Sequence, residues 1–128
     1  MGVKESLRVM VVDDTSVSRG LVIQSLEELG ITNIVYEANG RDALNAIAKS
    51  PVHLVVSDYN MPEMDGLQLL DAMNKYGISK QTGFILLTGT ANAEVIKAGQ
   101  ALGMNNYIRK PFSTMKLKGA IEGVFGRL

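Results

Sequence analysis

Apolar and polar positions divide the chain into two alternating kinds of segment. Short, nearly unbroken apolar runs predict buried strands at Arg8-Val9-Met10-Val11-Val12, Leu54-Val55-Val56 and Phe84-Ile85-Leu86-Leu87, with further short strands at Ile34-Val35-Tyr36 and Tyr107-Ile108. Between them, apolar residues recur at helical spacing. Val17, Leu21, Val22, Leu26 and Leu29 mark the inner face of a helix that Thr15 or Ser16 starts and Gly30 closes. Asn39-Gly40 opens a second helix through Lys49, with Ala43, Leu44, Ile47 and Ala48 inward and Pro51 just beyond its end. Leu67, Leu70, Ala72 and Met73 predict a third, broken at Gly77. A fourth spans about Asn92 to Ala101 and ends at Gly103, and a last one from about Ser113 has Leu117, Ile121, Val124 and Phe125 inside.

Strands and helices in strict alternation give a parallel sheet covered on both faces through right-handed crossovers. With five strands, the expected fold is α/β: a three-layer, doubly wound, flavodoxin-like parallel sheet of order 2-1-3-4-5. That order sets the C-terminal tips of the first and third strands side by side, where open parallel sheets place their sites.

Polar chemistry collects at those tips. Asp13 and Asp14 follow the first strand, Asp58 ends the third, Thr88 the fourth, and Lys110 follows the fifth. Taken singly, an aspartate after a strand serves as a cap or turn residue at least as often as a ligand, and Thr88 and Lys110 are unremarkable. The coincidence of all five at one edge points to chemistry. Two carboxylates about 4 Å apart repel by roughly 4 kcal/mol at an effective dielectric near 20, so three in one cleft require a cation or shifted pKa values. All-oxygen donors favour a hard ion such as Mg²⁺. A metal, a cation, a hydroxyl and a nucleophilic carboxylate are the parts phosphoryl transfer needs. His53 reads as packing or surface, and the seven Met as core and loop filler.

Composition narrows the classes. At 128 residues and 46% hydrophobic, the chain suits one domain, residues 1–128. The 13 basic residues balance the 13 acidic ones, which argues against a nucleic-acid or anionic-membrane partner. With no cysteine, disulfides, thiolate metal sites and Cys nucleophiles are excluded. No apolar run has the length of a membrane span and the first residues lack a signal-peptide core. Gly2 with Ser6 is a weak match to a myristoylation signal and is set aside. A cytoplasmic location is expected.

Asp13-Asp14, Asp58 with Met61-Pro62-Glu63-Met64-Asp65-Gly66 behind it, Thr88-Gly89 and Lys110-Pro111-Phe112 together resemble a response-regulator receiver domain, across essentially the whole chain. The resemblance implies that Asp58 accepts a phosphoryl group from a sensor or chemotaxis histidine kinase (CheA-like). It implies Mg²⁺ ligated by Asp14, Asp58 and the Asn60 backbone carbonyl, with Asp13 acting through a water. Lys110 and Thr88 would bind the phosphoryl oxygens, Tyr107 would be the aromatic that turns inward as Thr88 moves, and the Lys110-Pro111 bond would be cis. Pro62 and Gly66 would shape the loop that carries Asn60. The domain would also catalyse its own dephosphorylation, aided by a phosphatase.

With no room after the last helix for an output domain, the chain is most similar to the single-domain chemotaxis (CheY-like) type. Its output would be docking, as a monomer, on a flagellar motor switch protein (FliM-like) or another target. The alternative is a stand-alone or truncated receiver acting as a phosphate sink or in a non-chemotaxis relay. Thr90 and Arg109 depart from the family's usual residues. Two rivals fail on particular residues. A haloacid-dehalogenase-type phosphohydrolase needs an aspartate two positions after its nucleophile, where Thr15 or Asn60 stands. A flavin-binding module needs a hydroxyl- and glycine-rich phosphate loop where this chain has Asp13 and Asp14.

Overall fold

The computed structural model describes residues 3–89 and 92–128, with Val3 described in its backbone alone. In chain order the elements are α1 (Val3–Ser6), β1 (Arg8–Val12), α2 (Ser16–Glu28), β2 (Asn33–Glu37), α3 (Gly40–Lys49), β3 (Leu54–Asp58), α4 (Gly66–Lys75), a 3-10 turn (Ile78–Lys80), β4 (Gly83–Thr88), α5 (Ala93–Ala101), β5 (Asn106–Arg109) and α6 (Thr114–Phe125). All strand pairs are parallel, in the order β2-β1-β3-β4-β5, as the alternation predicts. The sequence pattern misses α1 and the 3-10 turn, four and three residues long; neither has enough turns to show a period.

Successive side chains of a strand point to opposite faces, so each buried strand feeds two cores. Val9, Val11, Leu54, Val56, Ile85 and Leu87 pack on one face against Val22 and Leu26 of α2 and Leu117 and Ile121 of α6. Met10, Val12, Val55, Phe84 and Leu86 pack on the other against Ala43 and Ile47 of α3, Leu69, Leu70 and Met73 of α4 and Val95 of α5. β3 is buried along its whole length, and truncating a side chain such as Leu54 to alanine would cost about 2–5 kcal/mol.

The helical faces differ in places from the expectation. Val17 and Leu21 are 76% and 55% exposed; α2 turns Val22 and Leu26 inward as expected, with Ser25 in addition. The buried Ser25 is tolerated because its hydroxyl accepts from Thr114 Oγ1 at 3.1 Å. Ala48 is exposed, and Leu69, outside the expected face of α4, is fully buried.

Gly66, expected as a loop residue, is the first residue of α4. Asp65 caps that helix: its carboxylate accepts the Gln68 N–H at 2.8 Å, and Gln68 Oε1 accepts the Asp65 N–H at 2.9 Å. A Cβ at position 66 would sit 2.7 Å from both the Asp58 carbonyl oxygen and Leu86 Cδ1. Close approach of α4 to the end of β3, rather than turn geometry, requires glycine there. Gly30 does have the left-handed backbone expected of a helix terminator, with φ 88°.

At the N-terminal edge of the sheet, side chains finish the backbone ladder. His53 donates its N–H to Arg8 O at 2.8 Å and accepts the Arg8 N–H on Nδ1 at 2.9 Å. Thr82 Oγ1 donates to Val52 O at 2.9 Å, and Asn105 Oδ1 accepts the Phe84 N–H at 2.8 Å.

Candidate functional site at the C-terminal sheet edge

Asp13 follows β1 and is fixed at nearly every polar atom. Its N–H donates to Glu37 O at 3.2 Å, and its carbonyl accepts from Arg19 Nη1 at 2.9 Å. Arg19 is itself held by stacking on Tyr36, 4.9 Å from the ring centroid. Oδ1 of Asp13 accepts from the N–H and the hydroxyl of Thr15, at 3.0 and 3.2 Å. Thr15 occupies the N-cap position of α2 as expected, but its side chain makes no capping bond. Oδ2 of Asp13 is buried with no hydrogen-bond partner. Asp13 is therefore both turn-former and candidate ligand, one oxygen for each role.

Asp58 ends β3 and is 8% exposed. The next residue donates its N–H to Leu87 O at 2.8 Å, which ties the tip to β4. Asn60 is exposed, Met61 is tucked into the core and Pro62 is exposed. Glu63 turns the loop with φ 68°, an unusual value for a residue other than glycine, and the Met64 N–H donates to Pro62 O at 2.7 Å. Thr88 is buried at the tip of β4. The Lys110 N–H donates to Thr88 O at 2.8 Å, and the Lys110-Pro111 peptide is cis.

The carboxylates of Asp13, Asp14 and Asp58 each place an oxygen within 4.8 Å of the others. Lys110 Nζ reaches into this group: 2.8 Å from Asp58 Oδ1 and 3.9 Å from Asp13 Oδ2. It also donates to Ser18 Oγ at 3.2 Å. Burial pushes the Asp58 carboxyl above its ordinary 3.8; the hydrogen bond and charge of Lys110 oppose this, and Asp13 and Asp14 add to it. One ammonium against three carboxylates leaves the pocket short of positive charge. The partnerless, buried Asp13 Oδ2 and the all-oxygen donor set fit a hard divalent cation.

Asp13, Asp14, Asp58 and Lys110 are thus brought together, with Thr88 at the same edge. Tyr107 is not among them: it lies on β5, 39% exposed. Arg109 is exposed and registers with Thr88. Thr90 lies outside the described residues. Ser18 was not anticipated. Its signal was available, a polar residue in the first turn of the helix that leaves the Asp13-Asp14 pair, but Val17 and Leu21 drew the pattern toward packing.

An open α/β sheet with a carboxylate triad and a partly buried lysine at its switch point defines a class of acidic-pocket domains, and comparison with known proteins resolves which. Residues 9–122 match the model of the response regulator receiver domain, and the chain belongs to that family. It is 38% identical to a probable chemotaxis protein CheY of Rhizobium etli over 128 residues, covering 100% of this chain and 99% of that protein. It is 35% identical over 125 residues to chemotaxis protein CheY-3 of Vibrio cholerae, covering 97% and 95% of the two chains. Among solved structures, Vibrio cholerae CheY4 superposes with a TM-score of 0.85 at 30% identity, covering 92% of this chain and 98% of that one. No helix among the described residues is long and apolar enough to cross a membrane.

Proposed function

We propose that this chain is a phosphorylation-dependent switch of a two-component system, one receiver domain over residues 1–128, with Asp58 as phosphoryl acceptor. The observation that carries the reading is Lys110 Nζ at 2.8 Å from Asp58 Oδ1, within a pocket whose remaining negative charge is unbalanced. A carboxylate oxygen of Asp58 attacks the phosphorus of a phosphohistidine on a histidine kinase. The P–N bond breaks, its electron pair and a proton return the imidazole to neutrality, and an acyl phosphate forms on Asp58. Lys110 holds charge on the phosphoryl oxygens as they move. Asp14, Asp58 and the Asn60 backbone carbonyl, with Asp13 acting through a water, would hold Mg²⁺, which would supply the further neutralisation. The donor approaches across α2, where Val17 and Leu21 are exposed and a groove of about 640 Å³ opens beside Ser18, Leu21, Lys110 and Phe112.

The acyl phosphate carries close to two negative charges and favours the conformer in which Thr88 and Lys110 close on it, biasing an existing equilibrium. Tyr107 turns inward in that conformer and changes the surface formed by α5, β5 and α6. The chemotaxis names of the relatives support a cytoplasmic protein whose phosphorylated form docks on a flagellar motor switch protein. Acetyl phosphate with Mg²⁺ is expected to label the wild type and not Asp58→Asn; retained labelling in the variant would sink the assignment. Phosphorylation is expected to strengthen binding to a motor switch peptide, and equal affinity in both states would remove the motor role.

A further inference from the structure

We infer that Ser18 is a positioning residue that divides the acidic pocket between two cations. The inference rests on the reading of the carboxylate triad as a divalent-cation site. An ammonium has three protons and no preferred direction of its own. Here one reaches Asp58 Oδ1 at 2.8 Å and another Ser18 Oγ at 3.2 Å; β3 supplies the first acceptor and α2 the second. A further acceptor, Asp13 Oδ2, is 3.9 Å away, too far for a hydrogen bond, although it is buried and has no hydrogen-bond partner.

On charge alone Lys110 would move toward that oxygen, since Asp13 is buried and its attraction is weakly screened. The hydroxyl of Ser18 opposes the move. It holds the ammonium against Asp58 and leaves Asp13 Oδ2 buried and without a hydrogen-bond partner in the group that Asp13 forms with Asp14 and Asp58. Ser18 can do this because the helix that begins at Ser16 fixes its backbone. Without the hydroxyl, Lys110 loses its outer tether and closes on Asp13. A divalent cation must then displace an ammonium from its own ligand.

The test is Mg²⁺ titration of the unphosphorylated full chain, followed by calorimetry and by backbone amide shifts. Ser18→Ala is expected to weaken Mg²⁺ binding about tenfold, the effect of one hydrogen bond to a charged group, and Ser18→Thr is expected to restore it by returning the hydroxyl. In a Lys110→Ala background, Ser18→Ala should have no further effect, because the residue acts only through Lys110. Wild-type Mg²⁺ affinity in Ser18→Ala would overturn the inference. So would a loss that persists without Lys110, or a wild type that binds no Mg²⁺. The titration needs no phosphoryl donor. A protein that binds Mg²⁺ with this dependence on Ser18, yet takes no label at Asp58, would defeat the proposed function and leave the role of Ser18 standing.

Discussion

At the N-terminal edge of the sheet, His53, Thr82 and Asn105 each satisfy a backbone group that the ladder leaves over. Arg8 Nε is the exception there, buried without a partner. At the C-terminal edge, Asp13, Asp58, Thr88 and Lys110 stand at or just past the ends of the same strands, and the side chains of Asp13, Asp58 and Lys110 face one another. Asp13 Oδ2 goes unpaired, and the Asp58 carboxyl is raised because burial disfavours its charge. Polar groups at the first edge contribute to the fold; at the second they burden it and leave a pocket able to bind. The difference lies in what each side chain finds opposite it, since both edges are drawn from the same strands.

The comparison breaks most sharply at Asp58. Asp58→Asn should abolish acetyl phosphate labelling outright, whereas no substitution of His53, Thr82 or Asn105 should do so. Next comes Gly66→Ala, which drives a methyl group into the Asp58 carbonyl and Leu86. The expected cost is about 1–3 kcal/mol in chemical denaturation, with slowed labelling because the acceptor is displaced; unchanged labelling at unchanged stability would show that α4 yields without moving β3. At the opposite edge, Asn105→Ala strands the Phe84 N–H and should cost about 1–3 kcal/mol, with labelling and Mg²⁺ affinity intact.

The pH dependence sharpens the contrast further. Because the folded Asp58 pKa lies above 3.8, folding favours the protonated carboxyl. The contribution of Asp58 to wild-type stability therefore falls as pH rises from 3.8 through the higher folded value, and the loss is complete above it. Asp58→Asn lacks this loss, so it should melt above wild type at neutral pH, with the gap closing in acid. A gap that widens in acid would mean that Lys110 outweighs burial. The smallest effect is expected at His53, where His53→Ala removes one exposed ladder bond, worth about 0.5–1.5 kcal/mol, and leaves labelling unchanged.

The sheet was legible because unbroken apolar runs admit few alternatives once they alternate with helical periods. Asp13, Asp14, Asp58, Thr88 and Lys110 were legible because strand order turns positions far apart in the chain into neighbours. What the sequence hid was direction and proximity. Val17 and Leu21 keep helical spacing with Leu29, yet α2 is rotated so that Ser25, satisfied by Thr114, goes inside and they stay out. Gly66 reads as a turn residue, and only the packing of α4 on the Asp58 carbonyl shows that it is needed for space. Ser18 reads as an ordinary first-turn serine until Lys110, remote in the chain, arrives beside it. Asn105 reads as loop until its amide oxygen meets the Phe84 N–H.

The parallel pairing of β1 with β3 also bears on how the molecule assembles. Arg8 and His53 meet across 45 residues of chain, and Asp13 and Asp58 stand the same interval apart, so the two carboxylates meet only after a long loop has closed. Loop closure of this kind precedes its own reward and slows folding in parallel sheets. The repulsion in the pocket is met at the same stage, as β3 docks beside β1. Neutralising Asp58 should therefore speed refolding as well as slow unfolding, in proportion to how far that docking has advanced at the barrier. The chain crosses its folding barrier against a charge it keeps for use once folded.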